Sequence, residues 1–474
     1  MNKIKFFTIV AVSSLSSIAV AQNKPSIILI NVDDLGYKDV GFNGSKYYST
    51  PNIDKLVSQG VIFNNGYAGA ANCAPSRACL LTGLNTPKHK IFTVNSSSRG
   101  KAKNRKIIPV KNNTILSEKF PTMASIFRDA GYKTINIGKF HVGENPLNYG
   151  FDCNIAGNHA GHPSSYFSPY KNKNLKDGKK GEHLPYRLTS EAINFIEKSK
   201  QQPYFLYLPY YSVHTPLQGK KELIEKYRKI GKIKSEKQLS YAAMIESLDD
   251  NIGRLTNYLQ QQNLLDKTII VFTGDNGSVY SFSPQKPLRA GKGTYYEGGI
   301  RVPFAIRWPQ GKIPANCRLN ERVSQLDLLP TLARLANVKL ENNKFDGIDV
   351  SSYIFNKKNN KEISERAIFF HFPIYLQCTG KALNGISKHM QSRDPLFRTR
   401  PGSVIIYNNY KLIKYYEDKN DYELFDLKND ISEQHNLANQ KIELKKQLII
   451  KLEEWLKENN APIPTRKNPK YIAK

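Results

Sequence analysis

The sequence predicts an α/β protein: an α/β/α sandwich around a large, mostly parallel central sheet, followed by a smaller C-terminal subdomain with an antiparallel sheet and a helix. Three observations point there. Short apolar runs bounded by loop residues alternate with helix-period segments, the pattern of buried parallel strands joined by crossover helices. Beyond about residue 355 such runs continue without regular helices between them. The 474 residues are enough for a large core and more than one packed unit. The expected organisation is a signal peptide at 1–21, the α/β domain at 22–355 and the C-terminal subdomain at 356–474.

At the N-terminus, Lys3 and Lys5 precede an apolar stretch at 6–12, and Ala19-Val20-Ala21 offers a small-residue cleavage site before Gln22. This reads as a secretory signal peptide cleaved after Ala21. Ser13, Ser14, Ser16 and Ser17 break the stretch, leaving it too weak for a membrane span. No cysteine lies near the cleavage site to carry a lipid anchor. The protein is therefore expected to be periplasmic or secreted, with no membrane span. Buried strands are expected at 26–32, 133–137, 205–208, 268–273 and 304–306, and helices at 52–59, 122–129, 188–198 and 241–261. The polar stretch 158–181 is long for a plain connector and is expected to cover the functional site. In the C-terminal part, strands are expected at 367–371, 403–407, 410–416 and 423–427, then a helix at 442–458. There are no internal repeats.

Composition narrows the function. The formal net charge is +30, from 70 Lys and Arg against 40 Asp and Glu. Such a field concentrates anionic partners and speeds their arrival. Nucleic acid is not supported, because the chain carries no recognition motif or basic helix. Many lysines sit in Asn/Lys/Ile-rich stretches such as 357–361, where solvated loops explain them equally well. The five cysteines (73, 79, 153, 317 and 378) show no disulfide-framework spacing.

The residues that carry chemistry fall in a few blocks. Cys73-Ala74-Pro75-Ser76-Arg77 continues through Leu80 to Thr82-Gly83; taken alone, it could be a cysteine in a loop before an ordinary helix. Asp33 and Asp34 follow an apolar run and precede Gly36, and Asp275-Asn276-Gly277 repeats that arrangement after 268–273. Adjacent strand residues face opposite ways, so two such carboxylates share an ion only if the chain bends, and Gly36 allows a bend. Either pair alone would more often be a turn or helix cap. Ligands of open α/β sheets gather beyond the carboxyl ends of the strands, so the two pairs can meet there. Three carboxylates and an amide oxygen form a hard oxygen set suited to Ca²⁺ or Mg²⁺.

The block from Cys73 to Gly83 matches, position for position, the sulfatase signature Cys-x-Pro-Ser-Arg-x-x-Leu-x-Thr-Gly. Further segments resemble the same family's blocks: Gly138-Lys139-Phe140-His141-Val142-Gly143, Leu208-Pro209 through His214-Thr215-Pro216, and Gly291-Lys292-Gly293 with Glu297-Gly298-Gly299-Ile300-Arg301. Glu423-Leu424-Phe425-Asp426-Leu427 through Asn436-Leu437-Ala438 extends the likeness to the C-terminal part. The chain thus resembles a type I formylglycine-dependent sulfatase of the alkaline phosphatase superfamily, similar to bacterial polysaccharide sulfatases. Phe140 stands where the family has Trp, a conservative departure.

That resemblance implies a catalytic α/β domain, and conversion of Cys73 to formylglycine by a formylglycine-generating maturation enzyme. It implies one Ca²⁺, with Mg²⁺ the less suited ion, held by Asp33, Asp34, Asp275 and Asn276 together with the residue at Cys73. It places Arg77 beside the nucleophile, Lys139 and Lys292 on the sulfate oxygens, His141 as the base that releases sulfate, and His214 as the acid for the leaving group. The implied substrate is a sulfated saccharide such as ulvan, carrageenan or another algal polymer. A glycosaminoglycan or aryl sulfate, a phosphomonoester or phosphonate, and a non-catalytic polyanion-binding role are the alternatives. His159 and His162 before Tyr166, and His371, Arg398 and Arg400, are candidate sugar contacts.

If the charge steers a sulfated polymer, kcat/KM for a multiply sulfated oligosaccharide should fall steeply from low to moderate salt, because the Debye length is only ~10 Å at about 0.1 M. The value of kcat should hardly move, and a small aryl sulfate should respond less. Initial rates across a salt series check this; equal, flat profiles would assign the charge to composition alone.

Overall fold

A computed structural model describes residues 24–340, 345–356, 361–377, 392–394 and 396–472. The expected signal peptide, Cys378 and most of the lysine-rich stretch 357–361 lie outside the described residues. Eight strands form one mixed sheet: β1 (Ser26–Val32), β2 (Val61–Tyr67), β3 (Lys133–Ile137), β4 (Cys153–Ile155), β5 (Tyr204–Tyr210), β6 (Thr268–Gly274), β7 (Phe304–Arg307) and β8 (Cys317–Ser324). Their spatial order is β4-β3-β5-β1-β6-β7-β2-β8. Only β7 runs against its neighbours; the other pairings are parallel.

The central strands are apolar throughout because both faces are covered. Ile28, Ile30 and Val32 of β1 pack with α1 (Pro51–Ser58), α4 (Leu184–Ser199) and α5 (Glu236–Gln261), through residues such as Ile53, Ile196 and Ile252. Ile27 and Leu29 pack with α2 (Cys73–Thr82), α3 (Met123–Asp129) and α6 (Leu328–Leu335), through Leu80, Phe127 and Leu329. Each such side chain contributes about 1.5–3 kcal/mol by leaving water. The result is the expected three-layer sandwich, and its register places the site. Val32 lies opposite Tyr210 on one side and Gly274 on the other, so Asp33, Tyr211 and Asp275 leave the sheet side by side.

Among the described residues, four C-terminal strands form an antiparallel sheet in the order β14-β13-β12-β9, with a short ribbon of β10 (Leu376–Gln377) and β11 (Phe397–Thr399) beside it. These strands are β9 (Ile368–Phe372), β12 (Gly402–Tyr407), β13 (Tyr410–Tyr415) and β14 (Tyr422–Asp426). On one face α7 (Ile442–Glu458) inserts Leu448, Leu452 and Trp455, the last stacked 4.7 Å from Phe369. The other face packs on Tyr295, Tyr296 and Ile300 of the main unit. Within that interface Lys411 of β13 is fully buried between two carboxylates, with Nζ 2.7 Å from both Glu297 and Glu433.

The sequence-derived strand and helix positions agree with the structure to within a few residues, but β2, β4, β8, β10 and β11 and the helices Lys221–Ile230 and α6 were not foreseen. No helix among the described residues is long and apolar enough to cross a membrane. Cys73, Cys79, Cys153 and Cys317 are free thiols.

The Lys411 cluster makes a stability prediction. Lys411→Met removes the cation from two buried carboxylates and should cost about 3–5 kcal/mol. Lys414→Met, which breaks an exposed pair with Glu453, should cost less than about 1 kcal/mol. Denaturant midpoints of the two variants check the contrast.

Candidate active site

Six segments deliver the site to the carboxyl end of the sheet. Asp33 and Asp34 follow β1, Asp275 and Asn276 follow β6, Cys73 opens α2, Lys139 follows β3, and Lys292 and His214 arrive on loops. The bend that lets Asp33 and Asp34 serve one site falls at Asp34 itself, in the left-handed region at φ 59°. Gly36, where the bend was expected, is in extended conformation at φ −74°. Its lack of a side chain matters for another reason: a Cβ there would lie 2.3 Å from the Gln285 carboxamide carbon. Aspartate is among the few residues that tolerate this backbone geometry. Asp34 N is fixed in turn by Asp275 Oδ1 at 3.0 Å. Gly138, at φ 123°, is required before Lys139 because a Cβ would meet the Pro209 carbonyl oxygen at 2.1 Å.

Around these turns the charges interlock. Lys139 Nζ donates to Asp33 Oδ2 at 2.6 Å. Lys292 Nζ lies 2.6 Å from Asp34 Oδ1 and 3.0 Å from Cys73 Sγ. Arg77 reaches from α2 to Asp275 Oδ2, with Nη2 at 2.9 Å, and donates through Nη1 to the Lys139 carbonyl at 2.8 Å. Arg77 therefore holds Asp275 and the Lys139 loop. His214 Nε2 is 3.6 Å from Asp34 Oδ2. Asp33, Asp34, Asp275, Asn276, Arg77 and Lys139 are at most 1% exposed.

The donor set fits a hard divalent cation. Ligand atoms of Asp33, Asp34, Cys73 and His214 lie within 4.8 Å of one another. Asp33 Oδ1 and Asn276 Oδ1 are buried acceptors with no hydrogen-bond partner among the described residues. A buried polar atom without a partner is costly, and an unpaired carboxylate oxygen inside a cluster of carboxylates is what an ion satisfies. Asn276 Nδ2 donates to Asp34 Oδ1 at 2.8 Å, which orients its amide. Asp275, expected among the ion's ligands, accepts from Asp34 N through Oδ1 and from Arg77 through Oδ2, which leaves each oxygen a further lone pair.

Burial and crowding set the protonation states. Desolvation, reinforced by Asp275 and Asp34, pushes Asp33 up to about 7 against the pull of Lys139. Burial also acts on Asp34, but Lys292, His214 and Lys139 outweigh it and hold the carboxyl well below its usual range. Burial pushes the Cys73 thiol up to about 12, despite Lys139 and Lys292. Such a thiol is a poor nucleophile as it stands. Burial and the nearby Lys292 push His214 down to about 3. His141 is also held far below its ordinary value, first by burial and then by Lys139.

His141 sits at the rim in a left-handed turn at φ 62°, with its buried Nδ1 unpaired among the described residues. The 158–181 stretch does lie over the site. Asn158 O accepts from His141 N at 2.9 Å, the His159 ring is 6.0 Å from that of His141, and the His162 ring stacks on His214 at 6.2 Å. Tyr166 is not at the surface; its hydroxyl donates to the His214 carbonyl at 2.9 Å and positions that residue from beneath. The C-terminal candidates separate. His371 is buried with both ring nitrogens engaged, by Ser403 Oγ at 2.7 Å and Pro462 O at 3.1 Å. Arg400 is ion-paired with Asp394 and Glu417. Arg398 carries no such pair among the described residues.

Sequence reasoning missed the supports. Asp39, fully buried, accepts from Tyr241 OH at 2.6 Å, Ser283 Oγ at 2.6 Å, Gln285 Nε2 at 2.8 Å and Gly36 N at 2.8 Å. Tyr241 is also 3.1 Å from the Asp34 carbonyl. These bonds lock the turn that carries Asp33 and Asp34. Only an unusual carboxylate five residues beyond Asp34 hinted at them.

A buried carboxylate cluster and two lysines thus surround a helix-opening cysteine at the carboxyl end of the sheet. Comparisons with known proteins give the family. The family model described as Sulfatase matches residues 25–338, and that of N-sulphoglucosamine sulphohydrolase, C-terminal, matches 291–461. A sulfatase of Formosa agariphila is 31% identical, over 93% of this chain and 90% of its own. The crystal structure of Ps i-CgsB in complex with k-i-k-neocarrahexaose is 31% identical with a TM-score of 0.74, covering 94% of this chain and 95% of that one. N-acetylgalactosamine-6-sulfatase of Mus musculus is 28% identical over 74% of this chain and 69% of its own. This chain belongs to the sulfatase family of the alkaline phosphatase superfamily and is a sulfuric ester hydrolase.

The unpaired oxygens predict that a divalent cation stabilises the fold. After exhaustive chelation, adding the ion at ~100 times its Kd should contribute about 2.7 kcal/mol. Calorimetry should show this as a higher Tm, and the gain should vanish in Asp33→Ala.

Proposed function

We propose that this sulfatase is exported and removes sulfate from a sulfated polysaccharide or its oligosaccharides, using formylglycine formed from Cys73 and one Ca²⁺. The observation that carries the reading is the placement of Cys73: its sulfur lies 3.0 Å from Lys292 Nζ, at the N-terminus of α2 and beside the carboxylate cradle. A helix N-terminus favours an anion through its free N–H groups and dipole. Export through the peptide at 1–21 and modification by a formylglycine-generating maturation enzyme complete the proposal. In the 22–355 and 356–474 division, the first part supplies the chemistry and the second closes over it.

Asp33, Asp34, Asp275 and Asn276 would hold the ion, with the modified residue at 73 beside it. Ca²⁺ suits a flexible, all-oxygen set better than Mg²⁺, which demands a tighter octahedron and keeps its waters. Such an ion, when bound, would supply Lewis acidity to a sulfuryl oxygen and to the nucleophile. Formylglycine supplies a hydrated aldehyde whose second hydroxyl provides the route for expelling sulfate.

The chain's own groups do the rest. Lys139 and Lys292 present ammonium charge to the sulfate oxygens, where negative charge develops. Arg77 keeps Asp275 and the Lys139 loop in register. His141, held neutral and with a free Nδ1, is the base that accepts the proton when sulfate leaves. His214 stands near Asp34 to serve the leaving oxygen. Its low proton affinity reflects burial and Lys292, and an anionic ester bound beside it opposes the second of these. Lys292 is the other proton source within reach of that oxygen.

A saccharide substrate is supported by the neocarrahexaose bound to Ps i-CgsB and by the relatives that act on amino-sugar sulfates by name. Carrageenan-type galactans are the first class to test. A panel of defined sulfated oligosaccharides, assayed for released sulfate, should show turnover of galactan sulfates; activity confined to phosphate esters would overturn the reading. Mass spectrometry of the peptide containing residue 73 should show formylglycine in active protein, and Cys73→Ala should abolish turnover with the melting curve intact. Chelation should remove activity and Ca²⁺ should restore it better than Mg²⁺. Fully active enzyme with an unmodified thiol would exclude the proposed nucleophile.

A further inference from the structure

We infer that Arg99 and Arg398 form an anion-binding subsite beside the reaction centre, which accepts a second anionic group on the saccharide that carries the scissile sulfate. The inference rests on the sulfated-saccharide reading above and adds a specificity element to it.

Both arginines are carried by segments that touch residues flanking the catalytic groups. Gly293 directly follows Lys292, and its N–H donates to the Ala71 carbonyl at 2.8 Å, two residues before Cys73. The Arg398 stem packs on Gly293; a Cβ there would lie 3.1 Å from Arg398 Cδ. On the other side, Asn72 Nδ2 donates to Thr93 Oγ1 at 3.3 Å, which ties the chain leading to Arg99 to the opening of α2. The turn at 98–100 then packs on the β10–β11 ribbon. Ser98 bridges to Tyr375, and a Cβ on Gly100 would lie 3.0 Å from Phe397 Cε1. This brings Arg99 beside Arg398.

The pairing is electrostatically unusual. Arg398 Nε is buried without a hydrogen-bond partner among the described residues. Among the described residues, Arg99 donates to the Val94 carbonyl alone, at 3.2 Å. Burial and then the charge of Arg398 both pull Arg99 below its ordinary pKa. The neighbouring arginines are neutralised: Arg393 pairs with Asp421 at 2.9 Å and Arg400 with Glu417 at 2.6 Å. Neither Arg99 nor Arg398 forms an ion pair with a carboxylate of the described chain. Two adjacent guanidinium groups repel, and part-burial strengthens the repulsion. A sulfate or carboxylate placed between them relieves it and satisfies their planar donors. Among the described residues neither arginine bonds to Lys139, Lys292 or the carboxylates of the cluster, so the subsite's occupant is a different group of the same substrate.

The test compares wild type, Arg398→Gln and Arg99→Gln on four probes. These are 4-nitrophenyl sulfate, a monosulfated disaccharide, the same disaccharide with a second sulfate, and a monosulfated disaccharide with a uronate neighbour. In either variant, kcat/KM for the doubly anionic sugars should fall roughly ten- to a hundredfold, the scale of one charge-assisted hydrogen bond. The monosulfated disaccharide and 4-nitrophenyl sulfate should change less than about twofold. A loss confined to the uronate sugar supports the subsite and makes carboxylate its occupant; a loss confined to the disulfated sugar makes it sulfate. Equal losses on all four probes would mean that the arginines only brace the Lys292 loop, and no loss would mean that they bind nothing; either overturns the inference. Wild-type protein with verified formylglycine but no activity on any sulfate ester overturns the parent reading as well. Should Arg398→Gln fail to melt cooperatively, Arg99→Gln carries the comparison alone.

Discussion

The structure depends on burying three carboxylates at one end of a parallel sheet. Asp33, Asp34 and Asp275 are each at most 1% exposed, and their mutual repulsion is uncompensated by water. At 4 Å a unit pair is worth about 1 kcal/mol in water but ~4 kcal/mol at an effective dielectric near 20. Cations must therefore be brought to the carboxylates, and the fold does so from three other elements. Arg77 comes from α2, Lys139 from the loop after β3 and Lys292 from the loop before β7. The parallel pairing of β5, β1 and β6 is what places these ends together, and the left-handed turn at Asp34 gives the two carboxylates a common side. Moving any of these elements by one residue would leave a buried charge without its partner.

A second buried ionic cluster fixes the loop that supplies Lys292. Glu297 stands five residues beyond it and is clamped by Lys411, Arg301 and Tyr67, while Glu433 holds the Glu297 N–H at 2.7 Å. Burial, with Glu297 beside it, pushes Glu433 up to about 7 against Lys411. The C-terminal sheet is thus more than a cap. Its strand β13 reaches through the interface and braces the loop that carries Lys292. The β10–β11 ribbon beside that sheet carries Arg398. The two sheets are joined by a few ångströms of buried charge.

Much of this was legible in the sequence, for identifiable reasons. Strands β1 and β3 were read correctly because apolar runs with sharp polar ends have one good solution in a two-sided sheet. Val61–Tyr67 was missed because Asn64, Asn65 and Gly66 interrupt its apolar run, and Cys317–Ser324 because an edge strand can carry Arg318, Glu321 and Arg322. The antiparallel entry of β7 leaves no local trace. In the site, the signature blocks located Cys73, Lys139, Lys292 and the paired Asp turns. What they could not convey is direction: that Arg77 spends itself on Asp275, that the bend sits at Asp34, or that Asp39 and Tyr241 hold the turn. Lys411 and Glu297 are distant in sequence and meet only through packing, so residue type alone gave no warning of their pairing.

The two buried clusters also locate the chain's excess charge. In the active site, Arg77, Lys139 and Lys292 balance Asp33, Asp34 and Asp275. At the interface, Lys411 and Arg301 balance Glu297 and Glu433. Neither cluster contributes to the net charge of +30. That excess must therefore reside in groups nearer the solvent, where salt screens it over about 10 Å and where it acts on approach rather than on bond breaking. The unpaired Arg99 and Arg398 stand between these regimes, part-buried yet unbalanced, at the point where a polyanion drawn in by the surface field would meet the contact-distance chemistry. The charge distribution thus falls into three depths: an excess toward the solvent, a part-buried arginine pair without a carboxylate partner among the described residues, and two buried clusters in which the formal charges cancel.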